Sequence, residues 1–147
     1  MFRSVLFRFG CLALAAAPVQ AQNADPKIAA ITPADRIQWA KTAAVDTAVL
    51  VGDPGKPGLY VILVKWHPHQ MSRPHFHPND RYITVLSGTW WVGTGPKYDP
   101  NHTVPVRAGG YVRHFARQIH YDGAKDEEVV LEIVGEGPET MTPAEAK

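Results

Sequence analysis

The sequence is short of several things. It has a single cysteine, Cys11, in 147 residues, so neither an intramolecular disulfide nor a cysteine-based zinc site can form. It has no charge bias: 15 Lys and Arg stand against 14 Asp and Glu. That balance argues against a nucleic-acid partner or an anionic membrane surface, both of which call for a basic excess. It has no apolar run of the roughly 20 residues that cross a bilayer. It also lacks internal repeats, low-complexity tracts, heptads, a serine-nucleophile motif, a phosphate loop and a carboxylate pair suited to glycosidic chemistry. Turn formers are plentiful instead, with 12 glycines and 13 prolines. Such a chain breaks into short strands rather than a helical bundle. At 45% hydrophobic and 20% charged residues it has the composition of one folded domain.

The first residues read separately. Arg3 and Arg8 precede an apolar stretch over 9–18, followed by Val19-Gln20-Ala21. A basic start, a short apolar segment and small residues at the end make a secretory leader, with cleavage after Ala21. Cys11 does not make it a lipoprotein, because Arg8 and Phe9 occupy positions where small or aliphatic residues are needed. Cleavage removes Arg3, Arg8 and Cys11. The basic count then falls to 13 against 14 acids, and no cysteine remains to be oxidised in the periplasm or outside the cell. The expected organisation is a signal over 1–21, a lead-in over 22–35, a β domain over 36–137 and a tail over 138–147.

The remainder reads as all-β. Strands are expected over 37–39, 47–51, 59–66, 81–86, 89–92, 111–115 and 128–134. The stretch 52–58 holds three glycines and two prolines and forms a hairpin loop. Ser87-Gly88 is a second tight connection, and 93–105 a polar loop. The tail is read as loose, with 142–145 starting a helical turn.

All seven histidines lie between 67 and 120. The sharpest element is His75-Phe76-His77. In an extended chain residues i and i+2 share a face, so the two imidazoles supply half of a transition-metal site. Pro74 and Pro78 bracket them and stiffen their presentation. A third ligand is expected from a distant strand.

From His75 to His120 the chain resembles the cupin superfamily, small antiparallel β-barrels of jelly-roll type with a metal in the barrel mouth. His75 and His77 match the histidines of the first cupin motif, and Gly88 its closing glycine. Gly109 matches the first glycine of the second motif, whose spacing puts His120 at the ligand histidine. The segments 52–54 and 85–89 are similar to those of the ChrR-type, anti-sigma-factor-like cupins, without their helical zinc domain. The resemblance implies one divalent transition metal on His75, His77 and His120, with iron first, zinc next, and nickel, copper or manganese also admissible.

Two departures stand out. Arg81 occupies the glutamate position of the first motif, and Phe115-Ala116-Arg117 replaces the Pro-x-Gly of the second. A guanidinium cannot ligate a metal, and strand parity points Arg81 inward with the histidines. Three readings stay open: a three-histidine site, a site completed by His114 or His69, or a metal-free site in which Arg81 holds an anion. Arg81 and His114 are the candidate catalytic residues. His69, Asp80 and Trp90 are candidates for orienting the ligands or lining the pocket, although a surface ion pair is the better reading for Asp80. Trp90 and Trp91 must face opposite sides of their strand.

The expected activity is that of an oxygenase-type enzyme on a small anionic or enolisable substrate. The alternatives are a non-catalytic ligand-binding module and a metal-assisted isomerase or lyase. A homodimer is expected, because cupins commonly pair their barrels.

Overall fold

The computed structural model describes residues 24–147; the expected leader and cleavage site lie outside these residues. The chain divides into two units, Met1–Pro33 and Ala34–Lys147. In the first, the described residues make one turn, where the Asp25 carbonyl accepts from the amides of Ile28 and Ala29.

The second unit holds ten strands: β1 Val45–Val51, β2 Gly58–Trp66, β3 His75–Phe76, β4 Arg81–Ser87, β5 Thr89–Thr94, β6 Val104–Arg107, β7 Tyr111–His114, β8 His120–Ala124, β9 Val129–Gly137 and β10 Thr142–Pro143. They form two five-stranded sheets, ordered β1-β2-β9-β4-β7 and β10-β3-β8-β5-β6, with every pairing antiparallel. No α-helix occurs among the described residues; Ala34–Arg36 make a single 3-10 turn.

Alternation explains the first sheet. In β9, Val129, Leu131 and Ile133 point inward while Val130 and Glu132 do not. In β4, Ile83 and Val85 are buried and Tyr82 and Leu86 exposed. These residues meet Tyr60, Ile62 and Val64 of β2, and Trp90 and Ala124 from the second sheet, in one core. Burying each large apolar side chain contributes about 1.5–3 kcal/mol.

The Ser87-Gly88 connection carries the chain from one sheet into the other instead of closing a hairpin. Gly88 sits at φ +73°, and a Cβ there would stand 2.3 Å from the Glu128 carbonyl oxygen. Glycine is the residue that fits this crossing.

Several expectations need correction. Residues 37–39 form no strand; the only pairing nearby among the described residues is the bridge Ala40↔Thr47. Strands β3, β6, β8 and β10 were not foreseen. All five residues of β8 are buried, so it shows no alternation. β6 carries Pro105 on a sheet edge, where proline costs no ladder bond. The tail does not start a helix. Thr142 and Pro143 pair with Phe76 and His75, and the amides of Ala144 and Ala146 donate to the carbonyls of Pro74 and Pro96.

Candidate metal centre

Pairing brings the sequence-distant histidines together. His75 on β3 is the register partner of His120 on β8, and His77 follows two residues later. The ring centroids lie 5.0 Å apart for His75–His77, 4.5 Å for His75–His120 and 5.4 Å for His77–His120. All three side chains are buried. One ligand atom from each lies within 4.8 Å of the others, close enough to hold a metal ion.

Backbone carbonyls fix the tautomers. His75 Nδ1 donates to the Arg73 carbonyl at 2.7 Å, His77 Nδ1 to Thr140 at 2.9 Å and His120 Nδ1 to Gln118 at 3.0 Å. A carbonyl only accepts, so each proton sits on Nδ1 and each lone pair on Nε2. Ligand histidines in metal sites are oriented in the same way. His120 Nε2 is buried without a hydrogen-bond partner, which leaves its lone pair free to ligate.

Charge arguments agree. Burial first, then the Arg81 guanidinium, hold His77 down to about 3. Burial and then the neighbouring His75 hold His120 to about 4. Both rings are therefore neutral near pH 7, as coordination requires.

Arg81 points inward from β4, where it is the register partner of His114 on β7. Its Nη1 donates to His77 Nε2 at 2.6 Å, its Nη2 lies 3.3 Å from Glu139 Oε1, and its Nε is buried and unpaired. An ion seated on His77 must displace this hydrogen bond, and Glu139 offers the guanidinium a second anchor. The donor set of His75, His77 and His120 fits a divalent transition metal, with Arg81 as a competitor for one of its three lone pairs.

His114 is buried beside this cluster. Its ring is 3.7 Å from that of His120 and 5.4 Å from that of Trp90, and neither of its nitrogens has a partner. Burial first, then His120, push it down to about 2. Trp90 is buried and lines the cavity, whereas Trp91 faces the other way beneath Lys125.

The other candidates lie elsewhere. Asp80 accepts from Arg113 and, at 2.7 Å, from the Ala116 amide, so it makes the surface pair and orients no histidine. His69 lines a separate recess with Tyr98 and Lys125 and does not reach the cluster. It therefore cannot stand in for the missing glutamate.

Two participants were not foreseen. Asp122, two residues beyond His120 on β8, is buried; its Oδ1 accepts from Trp90 Nε1 at 3.3 Å and its Oδ2 lies 3.9 Å from His120 Nε2. The period-two parity that linked His75 and His77 applies equally to His120 and Asp122. Glu139 comes from the tail, and its position depends on the β10–β3 pairing, for which no periodic signal exists. His75, His77, His114, Arg81 and Asp122 line a cavity of about 460 Å³ whose walls are largely apolar, among them Val64, Trp66, Leu131 and Met141.

The double sheet and this cluster define a cupin-type β-protein. No protein-family model and no curated sequence relative matches the chain. Solved structures do. The polyketide cyclase RemF from Streptomyces resistomycificus aligns at 15% identity with TM-score 0.67, covering 81% of this chain and 87% of its own. A conserved protein with a double-stranded β-helix domain from Klebsiella pneumoniae aligns at 20% identity and 0.62, covering 80% and 99%. A cupin-superfamily protein from Desulfitobacterium hafniense aligns at 12% and 0.54, covering 69% and 84%. Further matches include a DMSP lyase from Ruegeria pomeroyi and an oxalate decarboxylase from Lactobacillus farciminis. The chain has the cupin fold, the double-stranded β-helix. These likenesses establish the architecture and leave the activity to be argued from the site.

Proposed function

We propose that this chain is a metal-dependent enzyme that acts on a small anionic, enolisable substrate, with one divalent transition metal held by His75, His77 and His120. The observation that carries the reading is the set of three Nε2 lone pairs, aligned by backbone-locked tautomers, beside a buried guanidinium.

A bound ion would supply Lewis-acid polarisation of a substrate oxygen. The protein's own residues do the rest. Arg81 takes the substrate's anionic group through its unpaired Nε–H and the donors it now gives to His77 and Glu139. Glu139 holds the guanidinium at the cavity wall. His114 stays neutral and offers an N–H to developing negative charge on oxygen. The apolar walls exclude water and strengthen each of these contacts. The architecture shared with a cyclase, a lyase and a decarboxylase supports a non-oxidative reaction through a stabilised enolate: isomerisation, elimination or ring closure. An oxygenase is the second reading. It is favoured by the small number of protein ligands, three, which leaves coordination positions open to substrate and O2 together.

Elemental analysis of the untagged chain beside its His75→Ala and His120→Ala variants tests the site. About one metal per chain is expected, lost from His120→Ala and held more weakly by His75→Ala; wild-type metal affinity in either variant overturns the ligand assignment. Turnover of hydroxy-keto acids without O2 uptake supports the enolate reading, and stoichiometric O2 uptake the oxygenase. We further propose export to the periplasm, supported by Arg3, Arg8 and the apolar stretch over 9–18. We also propose a homodimer, supported by exposed Leu59, Tyr82, Leu86 and Tyr111 on the outer side of the first sheet. Sedimentation at the monomer mass would overturn the dimer.

A further inference from the structure

We propose that His114, His120 and Asp122 form a second metal seat, overlapping the three-histidine seat through His120 and exclusive with it. One donor atom from each of these three buried residues lies within 4.8 Å of the others. The three sit on two facing sheets, His114 on β7 and His120 and Asp122 on β8.

Every donor atom of this seat is free. His114 makes no hydrogen bond at either nitrogen, although it is only 8% exposed. His120 Nε2 is likewise orphaned. Asp122 is 6% exposed, and Trp90 occupies Oδ1 alone, which leaves Oδ2 facing His120 Nε2 across 3.9 Å. Two bonds of about 2.0–2.2 Å to one ion span roughly 3–3.6 Å between ligand atoms, so a shift of a few tenths of an ångström closes the gap. In the three-histidine seat, by contrast, Arg81 already occupies His77 Nε2.

Charge favours the second seat as well. Two neutral imidazoles and a carboxylate remove one of the ion's two charges. Three imidazoles remove none, and they leave the dication on the ring that Arg81 touches. Two histidines and a carboxylate with open positions also make the donor set of many iron and zinc sites. Because His120 Nδ1 is committed to Gln118, His120 has one lone pair to give. The two seats therefore hold one ion between them.

Cobalt(II) titration, followed by visible absorption and elemental analysis, tests this. The His75→Ala/His77→Ala double variant of the full chain is expected to bind about one cobalt. Adding Asp122→Asn to it is expected to weaken binding at least about ten-fold. A folded double variant that binds no cobalt overturns the proposal, as does binding indifferent to Asp122→Asn. Should the double variant fail to fold, anomalous diffraction from cobalt-soaked wild-type crystals decides. A peak within about 2.5 Å of the Asp122 carboxylate is expected. A sole peak bounded by His75, His77 and His120 overturns the second seat while upholding the first. A peak only at Asp122 upholds the second seat and overturns the first.

Discussion

Acid should unfold the metal-free protein well above the pH at which its carboxylates titrate. His77, His114 and His120 are held near 3, 2 and 4 in the folded chain, first of all by burial. In the unfolded chain they titrate near 6.5. Below that value the unfolded state binds protons that the folded state refuses, so stability falls as pH falls. From pH 7.5 to 5.0 each such histidine costs about 2 kcal/mol, and the three together about 6. Asp122 acts in the opposite sense. Burial raises its carboxyl, which works against the histidines' loss. The histidines' share alone is comparable to the whole stability of a small domain. Urea denaturation at the two pH values, followed by tryptophan fluorescence, measures it. His114→Phe removes an imidazole that makes no hydrogen bond. It should flatten the pH dependence by about a third and raise stability at pH 5.0. A loss below about 2 kcal/mol in the wild type, or an unchanged slope in His114→Phe, would refute the reasoning.

Other expectations follow from single contacts. Trp90→Phe withdraws the side-chain donor to Asp122 Oδ1 and should cost about 1–3 kcal/mol in urea midpoint terms; an unchanged midpoint contradicts it. Gly123→Ala places a Cβ 2.3 Å from the Gln70 carbonyl oxygen, on the strand that carries His120 and Asp122. It should lower both stability, by about 1–3 kcal/mol, and metal affinity, so wild-type zinc binding in that variant counts against the packing argument. Arg81→Met frees His77 Nε2 and should tighten metal binding in competition with a chelator while abolishing capture of anionic ligands. Weaker metal binding would show that Arg81 supports the site instead of competing for it.

The strands with one wet face were legible because their side chains alternate, as in β4 and β9. His75 and His77 were legible because period two is a local rule, and Arg81 was placed inward by the same parity. β8 was opaque because all five of its residues are buried, which erases the pattern. Asp122 fell with it, although its spacing from His120 matches that between His75 and His77. Glu139 was illegible for another reason. Its position depends on a two-residue pairing, β10 with β3, made across more than sixty residues of chain, and no local signal encodes so distant a contact. Asp80 was ambiguous because its partner, Arg113, lies on a neighbouring strand.

The segment that contributes Glu139 and Met141 to the cavity is held by two ladder residues, the amides of Ala144 and Ala146, and the ion pair between Arg73 and Glu145. Almost none of the hydrophobic core depends on it. Substitutions there alter what the histidines and Arg81 face without disturbing the sheets that position them. What the cavity accepts can therefore be altered by editing a short strap, while the scaffold and its donor atoms stay in place.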